Sequence, residues 1–160
     1  MSNELLEQVT AVVRRAGEAL LDGYAESARP ANKAEMATVG RQLEKTDVDA
    51  AIVTMTQPRT RNRRLGDAAT NLLDTVLFIR STVPSTFPLL DLAGGHVDAY
   101  WQYECDLIGV AAGVLLVTEA GGVVTDLTGE PWRPGHTDIL AAAPGLHREL
   151  LAVLQAEGAH

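Results

Sequence analysis

The chain has 160 residues, 46% of them hydrophobic, and a formal net charge of −8. That is enough for one domain with a real core plus an arm, and the acidity argues against a nucleic-acid partner, whose phosphates demand surplus Lys and Arg. The longest apolar stretch, Leu107–Val117, is interrupted by Gly109 and Gly113 and is too short to span a bilayer, so no membrane partner is expected. A single cysteine, Cys105, excludes an internal disulfide and, with no signal peptide evident, fits a reducing cytoplasmic setting.

In chain order, Leu5, Val9, Val12, Val13, Ala16, Leu20 and Tyr24 recur at three- and four-residue spacing, which predicts an amphipathic helix over Asn3–Tyr24. Ala25–Thr46 has no clean period and reads as a connector, so residues 1–46 form a helix and arm ahead of a domain at 47–160. Val48–Thr56 reads as a strand stopped at Pro58. Leu65–Asp74 reads as a helix with Asp67 as its cap, and Thr75–Arg80 as a buried strand. Pro84 is suited to the first turn of a further helix that ends at Gly94-Gly95. Along His96–Tyr103 the residues alternate, with Val97, Ala99, Trp101 and Tyr103 on one face and Asp98, Tyr100 and Gln102 on the other. Asp106 stands where an N-cap belongs, ahead of an apolar helix Leu107–Ala120 closed by Gly121-Gly122. Strands at Val123–Asp126 and Asp138–Ala143 and a last helix opened by Pro144 complete the chain. Strands alternating with helices in short units indicate a layered α/β domain.

Charge is unevenly placed. Residues 29–64 hold eight of the thirteen basic groups, among them Arg59, Arg61, Arg63 and Arg64, whereas no Lys or Arg occurs between Ser81 and Trp132. Guanidinium groups in such a cluster suit bidentate recognition of phosphate or sulfate. Glu104, Asp106 and Asp98 are the nearby acids that could serve as a base. They make a poor metal cluster, since they lie on one strand and turn with no second source of ligands. A short basic run can also be a solvated loop, and Asp106 can simply cap its helix.

The runs GGHVDAYW, VAAGVLLVTEAGGVVTDLTGEPW and ILAAAPGLHRELLAVL resemble the C-terminal half of the inositol monophosphatase superfamily, over about Leu65–Gln155. The resemblance implies an α/β fold of layered helices and a mixed sheet like that half, with an added N-terminal helix. It also implies hydrolysis of phosphate monoesters with Mg²⁺ held by a Glu-Glu pair, an Asp-Pro-x-Asp-Gly-Thr loop and a Trp-Asp pair. Here the first two motifs are missing, Ile108 and Gly109 stand at the Trp-Asp positions, and Gln102 falls where the family often has a substrate-contacting Glu. The expectation is therefore a truncated, metal-independent member with no metal and no cofactor. It would bind an anionic phosphorylated or sulfated intermediate through Gln102, Arg59, Arg61, Arg63, Arg64 and Gly109, and assist loss of the leaving group by elimination or intramolecular displacement. Such streamlined relatives suit specialised metabolism, antibiotic biosynthesis included. The alternative is a non-catalytic subunit that completes a partner enzyme. Under either reading the chain is expected to form a homo-oligomer or a hetero-complex with a pathway protein.

Overall fold

The computed structural model describes residues 43, 45–60 and 62–156. These belong to the second of two units into which the chain divides, Met1–Lys33 and Ala34–His160. The helix expected over Asn3–Tyr24, most of the connector to Thr46, and Arg61 lie outside the described residues.

Five strands form one mixed sheet: β1 (Ile52–Met55), β2 (Phe78–Ser81), β3 (Ala99–Tyr103), β4 (Val123–Thr125) and β5 (Asp138–Ala142), in the order β2-β1-β3-β5-β4. β1 runs parallel to both β2 and β3, whereas β5 is antiparallel to β3 and β4. Four helices accompany it: α1 (Arg63–Leu73), α2 (Thr86–Ala93), α3 (Leu107–Glu119) and α4 (Pro144–Gln155). α1 packs with α4 and α2 with α3, and every residue of β3 is buried. The predicted alternation on β3 is therefore kept, but both of its faces are interior. Trp101 sits between Met55 and Leu140 in register, fully enclosed, with the Tyr103 ring edge-on at 5.3 Å.

Several caps were legible in the sequence. The Asp106 carboxylate accepts from the Gly109 N–H at 2.8 Å, which satisfies a donor that the first turn of α3 leaves open. Gly121, at φ 90°, supplies the left-handed residue that ends the same helix, and Pro144 opens α4. Other boundaries differ. Val48–Ala50 is a 3-10 turn, and the strand begins only at Ile52. α1 starts at Arg63, capped by Asn62 through the Arg64 N–H, so Asp67 is inside the helix and is not its cap. Thr75, Val76 and Leu77 spend their N–H groups on Leu72 and Ala51, which delays β2 to Phe78. β2 is also an exposed edge strand, not a buried one. Pro84 precedes α2 without entering it.

Asp98 holds the amino-terminal end of the parallel strands. Its Oδ2 accepts from Lys45 Nζ at 2.9 Å and from the Ile52 N–H at 2.8 Å, while its backbone bonds to Ile52 and Ala143. At the far side of the sheet, His147 is buried on α4 with its Nε2 2.9 Å from Thr125 Oγ1. The Thr125 hydroxyl donates to the Asp126 carbonyl, so the imidazole nitrogen is the donor in this pair. Burial holds the His147 pKa below its ordinary value. The unfolded chain therefore takes up a proton at higher pH than the folded one, and stability is full above the unfolded histidine pKa of about 6.5 and falls as pH drops through it. A lower Tm at about pH 5.5 than at about pH 7.5 is expected; in His147→Gln that difference should shrink.

Candidate active site at the carboxyl edge of the sheet

β1, β2 and β3 are parallel, so their carboxyl ends open on the same edge, each followed by a turn into a helix. In open α/β sheets ligands bind at this edge, beside helix N-termini whose free N–H groups and dipoles favour anions. Three such starts, those of α1, α2 and α3, meet here, tied by side chains. Thr86 Oγ1 donates to the Gly109 carbonyl at 3.0 Å, joining α2 to α3. Thr56 Oγ1 donates to the Thr82 carbonyl at 2.8 Å, joining the first two turns.

The Thr60 hydroxyl donates to Glu104 Oε1, which brings the arginine-bearing turn against the β3–α3 turn. Glu104 holds φ 56°, a left-handed conformation that costs a non-glycine residue of order 1 kcal/mol and is most often retained at functional sites. Arg59 and Arg63 are exposed at this turn. Arg64 points elsewhere, its guanidinium 4.9 Å above the Tyr103 ring. There it also borders a cavity of about 560 Å³ between α1 and α4, lined by Asp67, Ala68, Leu154 and Gln155.

Beneath the turns lies a buried polar cluster. Ser85 Oγ donates to Gln102 Oε1 at 2.8 Å, and the Tyr100 hydroxyl donates to the same oxygen. Burial drives the Tyr100 pKa up to about 12, against the opposing bonds from Ser85 and Thr56, so the phenol stays protonated at neutral pH. Gln102 is thus a buried neutral acceptor with its carbonyl committed.

Of the expected site residues, the structure brings Glu104, Asp106, Gln102, Gly109, Arg59 and Arg63 to one edge. Asp98 is not among them: it lies at the opposite end of β3, a strand length of roughly 16 Å away, and its carboxylate serves the fold. Thr60, Ser85 and Tyr100 are not among the site residues expected from the sequence, although Tyr100 belongs to the GGHVDAYW run that carries the family resemblance. Tyr100 also stands on the polar face of the alternation; Thr60 and Ser85 look like ordinary loop residues.

The donor set does not fit the Mg²⁺ centre that the resemblance implies. Mg²⁺ requires several oxygens in near-octahedral array, and among the described residues no group of three or more His, Cys, Asp or Glu could hold a metal ion. Asp106 caps α3, Glu104 is bonded to Thr60, and Asp98 is paired with Lys45. Asp126 is likewise committed. Burial raises its pKa, but bonds from Thr128 and Glu130 and the charge contact to His136 at 3.2 Å outweigh this and hold it low. A Cβ at Gly109 would meet the Asp106 carboxylate at 3.2 Å, so that carboxylate fills the space where a ligand side chain at 109 would begin. Burial also raises the Cys105 thiol pKa, which leaves it a poor nucleophile.

Fold and edge together define a layered α/β protein with three helix starts at the carboxyl ends of its parallel strands. The model of the inositol monophosphatase family matches residues 24–159, and the chain belongs to that family. Inositol-1-monophosphatase ImpA of Mycolicibacterium smegmatis is 56% identical over 48 residues, covering 30% of this chain and 17% of the relative. The probable inositol 1-monophosphatase ImpA of Mycobacterium tuberculosis is 46% identical over 65 residues, 41% of this chain and 20% of the relative. Among solved structures, the extragenic suppressor protein suhB from Bartonella henselae superposes with a TM-score of 0.65 at 24% identity, over 71% of this chain and 45% of that one. That likeness is one of fold. The chain spans less than half the length of the curated relatives it matches.

Proposed function

We propose that the carboxyl edge binds the phosphate or sulfate ester of a small molecule and assists departure of the oxyanion without a metal. The observation that carries this reading is the Thr60–Glu104 bond, which sets an acid beside the Arg59–Arg63 turn at three helix starts. The ester oxyanion would lie against the helix N-termini, with Arg59 and Arg63 as counter-charges. Glu104 would take the proton from the carbon next to the ester-bearing carbon. That C–H pair becomes the new π bond as the C–O bond breaks, and phosphate or sulfate leaves with the C–O pair. Intramolecular displacement would use the same groups, Glu104 then deprotonating the substrate's own nucleophile. A cytoplasmic, dedicated biosynthetic pathway of the antibiotic type is the setting this reading supposes.

Titration with inorganic phosphate and sulfate, followed by amide NMR, should move Thr60, Ile108 and Gly109. Arg63→Ala should weaken binding about tenfold, as loss of one charge-assisted contact does. With a panel of small-molecule monoesters, Glu104→Gln should lower oxyanion release about a hundredfold and leave binding in place, the organic product being unsaturated or cyclised. Release as an alcohol that rises with added Mg²⁺, or a Glu104→Gln variant of unchanged rate, would overturn the proposal.

A second reading, a non-catalytic subunit, is favoured by one feature. α3 leaves Ile108 92% exposed and Leu115 61% exposed, and Phe87 and Leu90 of α2 add to this apolar face. Full activity of the isolated chain on its ester would exclude it.

A further inference from the structure

Gln102 is only 5% exposed, and its amide is held at one end. Its Oε1 accepts from Ser85 Oγ at 2.8 Å and from the Tyr100 hydroxyl, which occupies both acceptor sites of that oxygen. Its Nε2 donates to nothing among the described residues, yet it is not sealed. The wholly enclosed side-chain atoms without a partner belong to Trp101, Trp132 and His136, so the Gln102 nitrogen keeps contact with solvent. Nitrogen and oxygen share one planar carbon, and Ser85 is the residue from which α2 starts. The free donor therefore lies at that helix start, two residues before Glu104, with a Cα separation of at most roughly 7 Å. An N–H fixed in direction by bonds at the other end of its amide is suited to a developing oxyanion, since it need not reorganise as the charge appears.

The acid beside it sets a chemical demand. Glu104 is an exposed carboxylate, and a carboxylate is too weak a base to remove a proton from an unactivated carbon. That proton becomes acidic when its carbon also bears a carbonyl, because the charge then settles on the carbonyl oxygen as an enolate. An enolate oxygen needs a donor. A carboxylate at position 102 could only accept, whereas the amide donates.

We infer that the ester taken at this edge is the phosphate or sulfate ester of a β-hydroxy carbonyl compound, whose carbonyl oxygen bonds to the Gln102 Nε2–H. This rests on the elimination reading above and names its substrate class. Glu104 takes the proton from the carbon between the carbonyl and the ester-bearing carbon. The C–H pair forms the C=C bond of the enolate as the carbonyl pair moves onto oxygen, where Gln102 donates. That pair then re-forms C=O, the C=C pair shifts to the ester-bearing carbon, and phosphate or sulfate leaves with the C–O pair. The proton stays on Glu104 until solvent takes it, and the product is an α,β-unsaturated carbonyl compound. Ser85 and Tyr100 are positioning residues: they hold the amide so that its nitrogen, not its oxygen, meets the substrate.

The test compares two sets of esters on the full parent chain. Phosphate and sulfate esters of a β-hydroxy ketone should release oxyanion as the ultraviolet band of the unsaturated ketone rises. Above background, release should be about a hundredfold faster than from the same esters with the ketone reduced to an alcohol. A ketone phosphonate, with CH2 in place of the ester oxygen, cannot lose its phosphorus group. In deuterium oxide the parent should still exchange the protons beside its carbonyl. Gln102→Leu should slow that exchange about a hundredfold, while inorganic phosphate moves the Ile108 and Gly109 amides as in the parent. Equal release from ketone and alcohol esters, or unchanged exchange in a folded Gln102→Leu, overturns the inference and leaves metal-free departure of the oxyanion standing. Release from neither set ends both. If Gln102→Leu fails to fold, the ketone and alcohol comparison on the parent still decides.

Discussion

Replacing Gly113 by leucine is expected to destabilise the domain by about 4 kcal/mol, beyond the usual 1–3 kcal/mol for overpacking. A Cβ at this position would lie 2.5 Å from both Cβ and Cδ1 of Leu89. Leu89 is fully buried on α2, and its Cβ is fixed to the backbone, so no rotamer change relieves the clash and the two helices must separate. Gly113→Ala already makes the contact and should cost about 2 kcal/mol by the same mechanism. The control is Gly66 in α1, where an added Cβ meets nothing within 4 Å. There alanine removes backbone freedom from the unfolded chain and should stabilise by about 0.5–1 kcal/mol. Opposite signs for the same chemical change, read as urea midpoints, would tie the effect to the α2–α3 approach. A Gly113→Ala variant as stable as the parent would show that the helices do not meet this closely.

The same approach explains what could be read from the sequence and what could not. Asp106 acts through a bond three residues away and Gly121 and Pro144 through their own backbone angles, so their roles are visible locally. The identity of β2 as an edge was not. Thr75–Arg80 is β-branched and aromatic, a composition shared by central strands and by edges that a partner covers, and only the strand order separates the two. Leu107–Ala120 is apolar, yet α3 is exposed along one side because among the described residues nothing covers it. At the site, the basic cluster and the acid each stand out in the sequence, but their meeting depends on Thr60 reaching Glu104 across 44 positions.

Asp98 is the clearest case of a residue whose type suggested chemistry and whose place assigns it to structure. Asp98→Ala is expected to cost about 3 kcal/mol, most of it from the Ile52 N–H left without an acceptor at a partly buried strand start. The ion pair adds less, about 1 kcal/mol or below, because the Lys45 side chain is 33% exposed and water screens it. Asp98→Asn separates the two contributions: its amide oxygen can still accept from Ile52 while the charge is gone, so it should lose only about 1 kcal/mol. Because Asp98 sits at the amino end of β3 and Glu104 at the carboxyl end, phosphate or sulfate binding by either folded variant should match the parent. A folded Asp98→Asn that loses anion binding as Arg63→Ala does would return Asp98 to the site, and equal destabilisation by Ala and Asn would show that charge, not the Ile52 hydrogen bond, dominates at this corner of the sheet.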